Sequence, residues 1–185
     1  MRITVNGSSG SGKSTLARLL ATELDLVHVE LDAVNWQPGW RDLNTHDRPE
    51  FHRRVLAALS GERWVTDGNY SSIQPQIRAM ATDAVWLDYP RPLIMGRVIR
   101  RSFARAMDGK ELWPGTGNVE TFSKWLGKEH PIRWSWDHFH QIRQRYGEVF
   151  SDPANAYLRV HHLKHPKDVP ELVARLRDLA GLKPG

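Results

Sequence analysis

Nine consecutive residues near the start of the chain have the types and the spacing that can hold a phosphate group. The first eight match the pattern G-x-x-x-x-G-K-[ST], and in order the nine are Gly7, Ser8, Ser9, Gly10, Ser11, Gly12, Lys13, Ser14 and, directly after the pattern, Thr15. Glycines let the backbone curl so that its N–H groups converge on an anion. Lys13 can reach the β- and γ-phosphates of a nucleotide, and the Ser14 hydroxyl can ligate Mg²⁺. The motif therefore predicts a P-loop that binds ATP.

Two aspartates follow short apolar runs that have the character of strands. Ligands of open α/β sheets bind at the carboxyl ends of the strands, so both aspartates are candidate site residues. Asp32 could take the proton of an attacking hydroxyl group, position an acceptor, or only cap the next turn. Asp67 could hold Mg²⁺ opposite Ser14, or the Asp67-Gly68 pair could be a simple turn. The metal role is the one that the preceding strand favours.

Aromatic and polar residues near these aspartates are candidate contacts to an acceptor. Trp36 and Trp40 could stack on a base or a sugar ring while Arg41 binds an anionic group. Equally, the two rings could only anchor a turn-rich loop to the core. Asn69 and Tyr70, directly after the aspartate-glycine pair, could also contact the acceptor.

A predicted helix over residues 93–107 carries two arginines that suit a reaction at phosphate. Arg97 and Arg101 are one helical turn apart, so both can meet one ligand and neutralise charge on a transferred phosphoryl group. A solvated basic face is the alternative. The residues that we expect this helix to bury are Leu93, Ile94, Val98 and Ile99.

Residues 108–130 break the alternation of strands and helices and are rich in glycine. Insertions of this length are more often lids or disordered loops than core, and a lid would exclude water during phosphoryl transfer. The helix predicted next, over residues 131–150, offers Arg133, Arg143 and Arg145. At least one of these arginines could close on the transferring phosphates, and the sequence leaves open which one.

The order of the remaining elements predicts the fold class. Strands are expected at 2–5, 27–31, 64–66, 84–88 and 157–163, and helices at 13–24, 47–59, 93–107, 131–150 and 169–180. This alternation indicates an α/β fold with a five-stranded parallel sheet and helices on both faces. On the first helix, the expected buried face consists of Leu16, Leu19, Leu20 and Leu24. In the last strand His161 and His162 must point to opposite faces, so we interpret both as structural.

Composition narrows the range of partners. The chain has 185 residues, 40% of them hydrophobic, no cysteine and a net charge of +5. The basic balance fits either a nucleic-acid partner or arginines gathered around ATP phosphates, and the phosphate-binding motif favours the second. No apolar run approaches the length of a membrane span, and the motif at Gly7 leaves no room for a signal peptide. We therefore expect a cytoplasmic protein without a membrane partner; the oligomeric state stays open.

These motifs resemble those of the P-loop nucleoside monophosphate kinase superfamily. Within it, the chain is similar to the adenylate kinase-related group sometimes called DNA topology modulation protein-like. The segments that carry this closer likeness are Leu31-Asp32-Ala33, Pro38-Gly39-Trp40, Trp64 to Tyr70 and Val85 to Pro90. The resemblance implies a three-layer P-loop kinase fold over residues 1–185, with an acceptor-binding segment at about 33–60 and a lid at about 108–130. It also implies that Arg97 and Arg101 contact ATP and the transferring phosphate.

One departure from adenylate kinases concerns the acceptor. Their aspartate-glycine pair continues into Phe-Pro-Arg, whose arginine holds the acceptor phosphate, whereas this chain continues Asn69-Tyr70-Ser71. Asp32 fits small-molecule kinases that phosphorylate a hydroxyl group, so a hydroxyl acceptor or an atypical nucleotide is expected. The expectation is an ATP- and Mg²⁺-dependent phosphotransferase. The alternatives are a nucleotide-gated regulatory or DNA-associated protein without kinase activity, and a bare NTPase.

Overall fold

The computed structural model describes residues 1–119 and 131–182, in which strands and helices alternate. The strands are β1 (Arg2–Gly7), β2 (Val27–Glu30), β3 (Trp36–Gln37), β4 (Arg41–Asp42), β5 (Trp64–Asp67), β6 (Asp83–Leu87) and β7 (Arg159–Leu163). The helices are α1 (Lys13–Leu24), α2 (Leu31–Asn35), α3 (Leu43–His46), α4 (Arg48–Ala58), α5 (Gln74–Met80), α6 (Arg91–Asp108), α7 (Pro131–Ser151) and α8 (Val169–Leu179).

Five of these strands form one parallel sheet in the order β2-β5-β1-β6-β7. Strand β1 is central, and its Val5 lies opposite Asp67 on β5 and Val85 on β6. Because all five strands run in one direction, their carboxyl ends meet at a single edge, where ligands of such sheets bind. The predicted five-stranded parallel sheet with helices around it is confirmed.

Two hydrophobic clusters hold the helices against this sheet. One joins β1 to α1 and α8 and includes Leu20 and Leu176, neither of which is exposed. The other joins β5 to α4 and α5 through Trp64, Phe51 and Ile77. Full burial of such a side chain contributes roughly 1.5–3 kcal/mol each. The strands whose carboxyl ends form this edge are therefore held in place by the helices packed against the sheet.

Two residues predicted to be buried are exposed. Leu19 of α1 is 39% exposed and Ile99 of α6 is 47% exposed. The buried stripe of α1 is Leu16, Ala17, Leu20 and Leu24, and that of α6 is Ile94, Met95, Val98 and Ser102. At about 100° per residue, Leu19 and Ile99 fall on opposite margins of their stripes, outside the core contact.

The region after β2 differs from its prediction. Strand β2 ends at Glu30, and Asp32 lies in the first turn of the short helix α2 rather than at a strand end. Helix α5, which the sequence analysis does not predict, buries Ile77 in the second cluster. Helix α4 begins one residue later than predicted because the Asp47 side chain accepts a hydrogen bond from the Glu50 N–H and caps it.

The tryptophan segment is a small antiparallel ribbon rather than an open loop. Strands β3 and β4 pair Trp36 with Asp42, around a turn in which Gly39 and Trp40 have positive φ angles. The first residue of the expected lid, Asp108, is the last of α6. Residues 109–119, which we call the strap, also lie within the structure, and the rest of the lid, residues 120–130, lies outside the described residues. No helix in the described ranges is long and apolar enough to cross a bilayer.

Candidate active site

The P-loop leaves the central strand and enters helix α1 at the carboxyl edge of the sheet. Gly7, Gly10 and Gly12 have φ angles of 146°, 84° and 98°, which side chains with a Cβ rarely adopt. A Cβ on Gly10 would lie 2.3 Å from Val98, so helix α6 packs directly against the loop. The first N–H groups of α1 have no carbonyl partner within the helix and face the loop. The backbone thus forms a cradle for an anion.

Lys13 carries its charge into this cradle. Its Nζ donates to the Ser8 carbonyl at 3.1 Å, which uses one of its three hydrogens. Burial lowers the pKa of Lys13 from 10.5 to about 8, although the carboxylates of Asp67 and Asp32 act in the opposite direction. An anionic group placed in the cradle would favour the charged state of the lysine and raise its pKa again.

Asp67 joins the P-loop to the neighbouring strand. Its Oδ2 accepts a 2.5 Å hydrogen bond from Ser14 Oγ, and its Oδ1 lies 2.7 Å from His28 Nε2 on β2. The Asp67 side chain is 4% exposed and that of His28 17% exposed. The carboxylate is therefore held from both sides, in an orientation fixed before any ligand arrives.

Ser14 and Asp67 fit a magnesium ion by the chemistry of their donor atoms. A hydroxyl and a carboxylate oxygen already in contact are hard ligands of the kind that Mg²⁺ takes in nucleotide sites. Within the described ranges, no group of three or more histidine, aspartate or glutamate side chains could hold a metal alone. This matches a site in which Mg²⁺ keeps several waters and also binds phosphates.

Two arginines of α6 form hydrogen bonds to the P-loop. Arg97 Nη1 donates to the Ser11 carbonyl at 3.0 Å, and Arg101 Nη2 donates to Ser9 Oγ at 3.3 Å. One helical turn separates them, so α6 presents both guanidinium groups to the loop that holds Lys13. The structure thus brings together the three cations that the sequence singles out.

Asp32 and Tyr70 form the polar part of the predicted acceptor side. The Tyr70 hydroxyl donates to Asp32 Oδ1 at 2.6 Å. Burial and the negative charge of Asp32 raise the pKa of Tyr70 far above its usual range, so the phenol stays a donor. Asn69 instead supports the P-loop, since its Nδ2 donates to the Gly7 carbonyl at 3.0 Å and its Oδ1 accepts from Tyr146.

The two predicted tryptophans contact a third that the sequence analysis does not select. Trp36 and Trp40 pack edge to face at 5.6 Å between ring centroids, and Trp113 of the strap lies 6.4 and 6.1 Å from them. We call Trp36, Trp40 and Trp113 the tryptophan box. Arg41 is exposed on the ribbon beside it. The box lies at the sheet edge because Trp113 Nε1 donates to Glu30 Oε1 at 3.4 Å.

Glu30 and His28 are site residues that sequence reasoning missed. Glu30 lies opposite Asp67 in the β2–β5 register, and burial together with the charges of Asp67 and Asp32 raises its pKa. The available signal was alternation, because a strand places His28 and Glu30 on one face. The sequence does not show that β2 pairs with β5. Without that pairing, His28 and Glu30 cannot be placed on the same face of the sheet as Asp67.

The arginines of α7 have other partners. Arg143 Nε lies 2.7 Å from Asp88 Oδ1, and His162 Nε2 lies 3.0 Å from Asp88 Oδ2. Arg133 pairs with Asp137 at 2.6 Å, and Arg145 lies over the Tyr146 ring. The Arg143–Asp88 pair ties α7 to the end of β6.

The adjacent histidines have separate partners. His161 bonds to the buried Asp83, whereas His162 stacks on Trp86 with 4.1 Å between ring centroids. Burial opposes ionisation of Asp83, but hydrogen bonds from His161, Arg159 and Thr82 outweigh it and lower the pKa of Asp83 well below its usual range.

The known proteins to which this chain is similar are kinases. No protein-family model matches the chain. The cytidylate kinase of Caldicellulosiruptor bescii is 28% identical over 60 residues, which are 32% of this chain and 26% of that enzyme. The shikimate kinase of Synechococcus elongatus is 27% identical over 109 residues, 50% of this chain and 54% of that enzyme. The chain thus matches about a quarter to about half of the length of these curated relatives.

Solved structures match over nearly the whole chain. Shikimate kinase from Bacteroides thetaiotaomicron superposes with a TM-score of 0.58 at 17% identity, over 98% of this chain and 99% of that one. A gluconokinase from Sinorhizobium meliloti gives 0.52 at 18% identity, over 97% and 93%. At these identities the likeness establishes the fold. The chain has the fold of the P-loop kinases.

Proposed function

We propose that this protein is an ATP- and Mg²⁺-dependent phosphotransferase that transfers the γ-phosphoryl group of ATP to a hydroxyl group of a small acceptor. The observation that carries the proposal is the convergence of Lys13, Ser14 and Asp67 with Arg97 and Arg101 at one end of the sheet. A phosphate cradle lined by three cations and a carboxylate suits phosphoryl transfer, which depends on positioning and charge neutralisation.

The donor half of the site binds ATP. The loop N–H groups and Lys13 hold its phosphates, while Arg97 and Arg101 stabilise the charge that spreads over the transferred group. Ser14 and Asp67 would hold Mg²⁺, which neutralises phosphate charge when bound. An arginine in such a position accelerates transfer by about 10³-fold or more.

The acceptor half lies around Asp32. The acceptor oxygen attacks the γ-phosphorus, the bond from that phosphorus to the β,γ-bridging oxygen breaks, and ADP leaves with the electron pair. The hydroxyl proton passes to Asp32, which the Tyr70 hydroxyl holds in place. In adenylate kinases an arginine after the aspartate-glycine pair binds the acceptor phosphate. The corresponding segment here, Asn69-Tyr70-Ser71, has no arginine, which argues for a hydroxyl acceptor.

The relationship to the adenylate kinase-related, DNA topology modulation protein-like group belongs to the same proposal. It rests on the motifs around Asp32, Trp40 and Tyr70. In such a group the positive net charge of +5 reflects the ATP site rather than a nucleic-acid surface.

The test is a panel of nucleosides, nucleoside monophosphates, sugars and polyols incubated with ATP and Mg²⁺, with ADP and phosphorylated product measured separately. Acceptor-dependent ADP formation is expected in the parent and should be lost in Lys13→Met. Arg175→Met is the matched control, because Arg175 is an exposed cation on α8 that pairs with Glu171. Equal activity of a folded Lys13→Met variant would contradict the proposal. ADP release without product would indicate a bare NTPase, and DNA binding with a steep salt dependence the regulatory alternative.

A further inference from the structure

One buried amide beside the predicted acceptor side, that of Asn35, has a fixed orientation. Asn35 is the last residue of α2 and is fully buried. Its Oδ1 accepts a 2.8 Å hydrogen bond from the backbone N–H of Asn44. A backbone N–H can only donate, so this contact decides which end of the amide is the oxygen. The other end, Nδ2, is directed at the Tyr70 hydroxyl.

The direction of the Tyr70 hydrogen bond follows from this orientation. A hydroxyl group has one proton to donate and two lone pairs that accept. Because Nδ2 of Asn35 offers only hydrogens, the Tyr70 oxygen is an acceptor toward Asn35 and its own proton points to Asp32. Tyr70 Oη lies 2.6 Å from Asp32 Oδ1. The three side chains therefore form a chain of donors that runs in one direction, from Asn35 through Tyr70 to Asp32.

Neighbouring contacts hold the members of this chain in place. The ring of Phe51, a fully buried residue, lies 4.9 Å from that of Tyr70 between centroids. Ser72 Oγ donates to Asn44 Oδ1 at 2.6 Å and so ties the segment after Tyr70 to α3. A turn of either Tyr70 or Asn35 away from Asp32 would break these contacts as well.

The Asp32 carboxylate has one oxygen engaged and one available. Within residues 1–119 and 131–182, the hydrogen bond that it accepts comes from Tyr70 and ends on Oδ1. Asp32 is only partly buried. Its charge also raises the pKa of Lys13 against the lowering effect of burial, so the carboxylate acts on the lysine of the P-loop. Oδ2 is therefore the oxygen that is left to take a proton.

We propose that Asn35 and Tyr70 are positioning residues for phosphoryl transfer, which orient Asp32 so that its Oδ2 receives the proton of the acceptor hydroxyl. The inference rests on the proposed function. With the Tyr70 proton directed at Oδ1, the acceptor hydroxyl donates to Oδ2, and its oxygen attacks the γ-phosphorus. Burial and the charges of Asp32 and Asp42 keep Tyr70 protonated by raising its pKa. The phenol thus acts through Asp32 and does not itself bind the acceptor.

The experiment measures kcat and the acceptor KM with ATP, Mg²⁺ and the member of the nucleoside, nucleotide, sugar and polyol panel that is phosphorylated fastest. Tyr70→Phe keeps the ring and removes the hydroxyl. It should lower kcat by about 10–100-fold and change the acceptor KM by less than about twofold. Tyr157→Phe is the matched control, since Tyr157 is 54% exposed and lies before β7, at the amino edge of the sheet.

A double-mutant cycle tests whether Asn35 acts through Tyr70. Asn35→Ala should lower kcat by about fivefold in the parent and by less than about twofold in Tyr70→Phe. If Asn35→Ala does not fold, Asn35→Asp takes its place in the cycle, because it keeps the oxygen that Asn44 needs and loses only the donor.

Three kinetic results would overturn the inference: a kcat of Tyr70→Phe equal to that of the Tyr157 control, a raised acceptor KM with unchanged kcat, or additive losses in the cycle. If no acceptor is phosphorylated, proton NMR of the protein with isotope-labelled tyrosine separates the two proposals. A slowly exchanging Tyr70 hydroxyl proton whose signal shifts in Asp32→Asn and in the Asn35 variant would support the oriented chain and reject the kinase function. A signal that is absent, or that moves in neither variant, would reject the chain itself.

Discussion

Ser14 Oγ donates a 2.5 Å hydrogen bond to Asp67 Oδ2, which links the first turn of α1 to the end of β5. The two residues are far apart in the sequence, and the parallel pairing of β1 with β5 brings them together. Because each is the other's partner, neither oxygen is left unsatisfied before a nucleotide binds. The pair therefore keeps the two expected metal ligands oriented toward the cradle.

Asp67→Asn should lower kcat by about 10²–10³-fold, because the amide has less negative charge to offer Mg²⁺. It should also lower the pKa of Lys13 below its value of about 8, since Asp67 is the largest of the influences that raise it. The measurements are kcat as a function of Mg²⁺ concentration, and the melting temperature. Asp178→Asn, at an exposed position on α8, is the control. A kcat equal to that of the control would exclude a role for Asp67 in metal binding.

His28→Phe should weaken metal binding, because it removes the group that holds Asp67 Oδ1. Loss of such a supporting contact typically costs about 10–100-fold in metal affinity. His28→Gln retains a side-chain donor and should preserve most of the affinity. The measurement is Mn²⁺ binding in the presence of ADP, followed by electron paramagnetic resonance. Equal affinities for the Phe and Gln variants would show that the hydrogen bond has no positioning role.

The lowered pKa of Lys13 predicts a pH-dependent stability difference. The folded protein binds the lysine proton less tightly than the unfolded chain does, with a pKa of about 8 against 10.5. Between these values the unfolded state holds more protons, so the stability of the parent rises with pH in that window. Lys13→Met should therefore be more stable than the parent at pH 7, and the difference should shrink as the pH approaches 10.5. Urea unfolding across this range tests the sign.

The parts of this site that the sequence predicts are those formed by residues close together in the chain. The parts that depend on contacts between distant segments could not be predicted. The P-loop is a local motif, and the spacing of Arg97 and Arg101 on one helix is also local, so both could be recognised in the chain. The partnership of His28 with Asp67 requires the order of strands in the sheet. Trp113 meets Trp36 only because the strap folds back across the ribbon, and no periodicity carries that information.

The same distinction applies to the fold. The alternation of short apolar runs with helical segments was sufficient to predict the parallel sheet. The three central strands β1, β5 and β6 are largely buried, so their apolar runs stand out in the sequence. The alternation misplaced Asp32, since the change from strand β2 to helix α2 occurs within one residue and without a turn signal. It also assigned Leu19 and Ile99 to the core, although both are exposed. Each lies at the margin of the apolar stripe of its helix, and the rotation of the helix about its axis decides whether such a residue is buried.

The packing of α6 on the P-loop gives a prediction with an internal control. Gly10→Ala and Gly39→Ala both place a Cβ at a positive φ, which costs about 1–2 kcal/mol. At Gly39 no described atom lies within 4 Å of the added Cβ, whereas at Gly10 it would lie 2.3 Å from Val98 Cγ2. Gly10→Ala should therefore cost about 1–3 kcal/mol more in the free energy of unfolding and also weaken ATP binding. In a Val98→Ala background that excess should fall, whereas an unchanged excess would mean that strain at Gly10 does not come from α6.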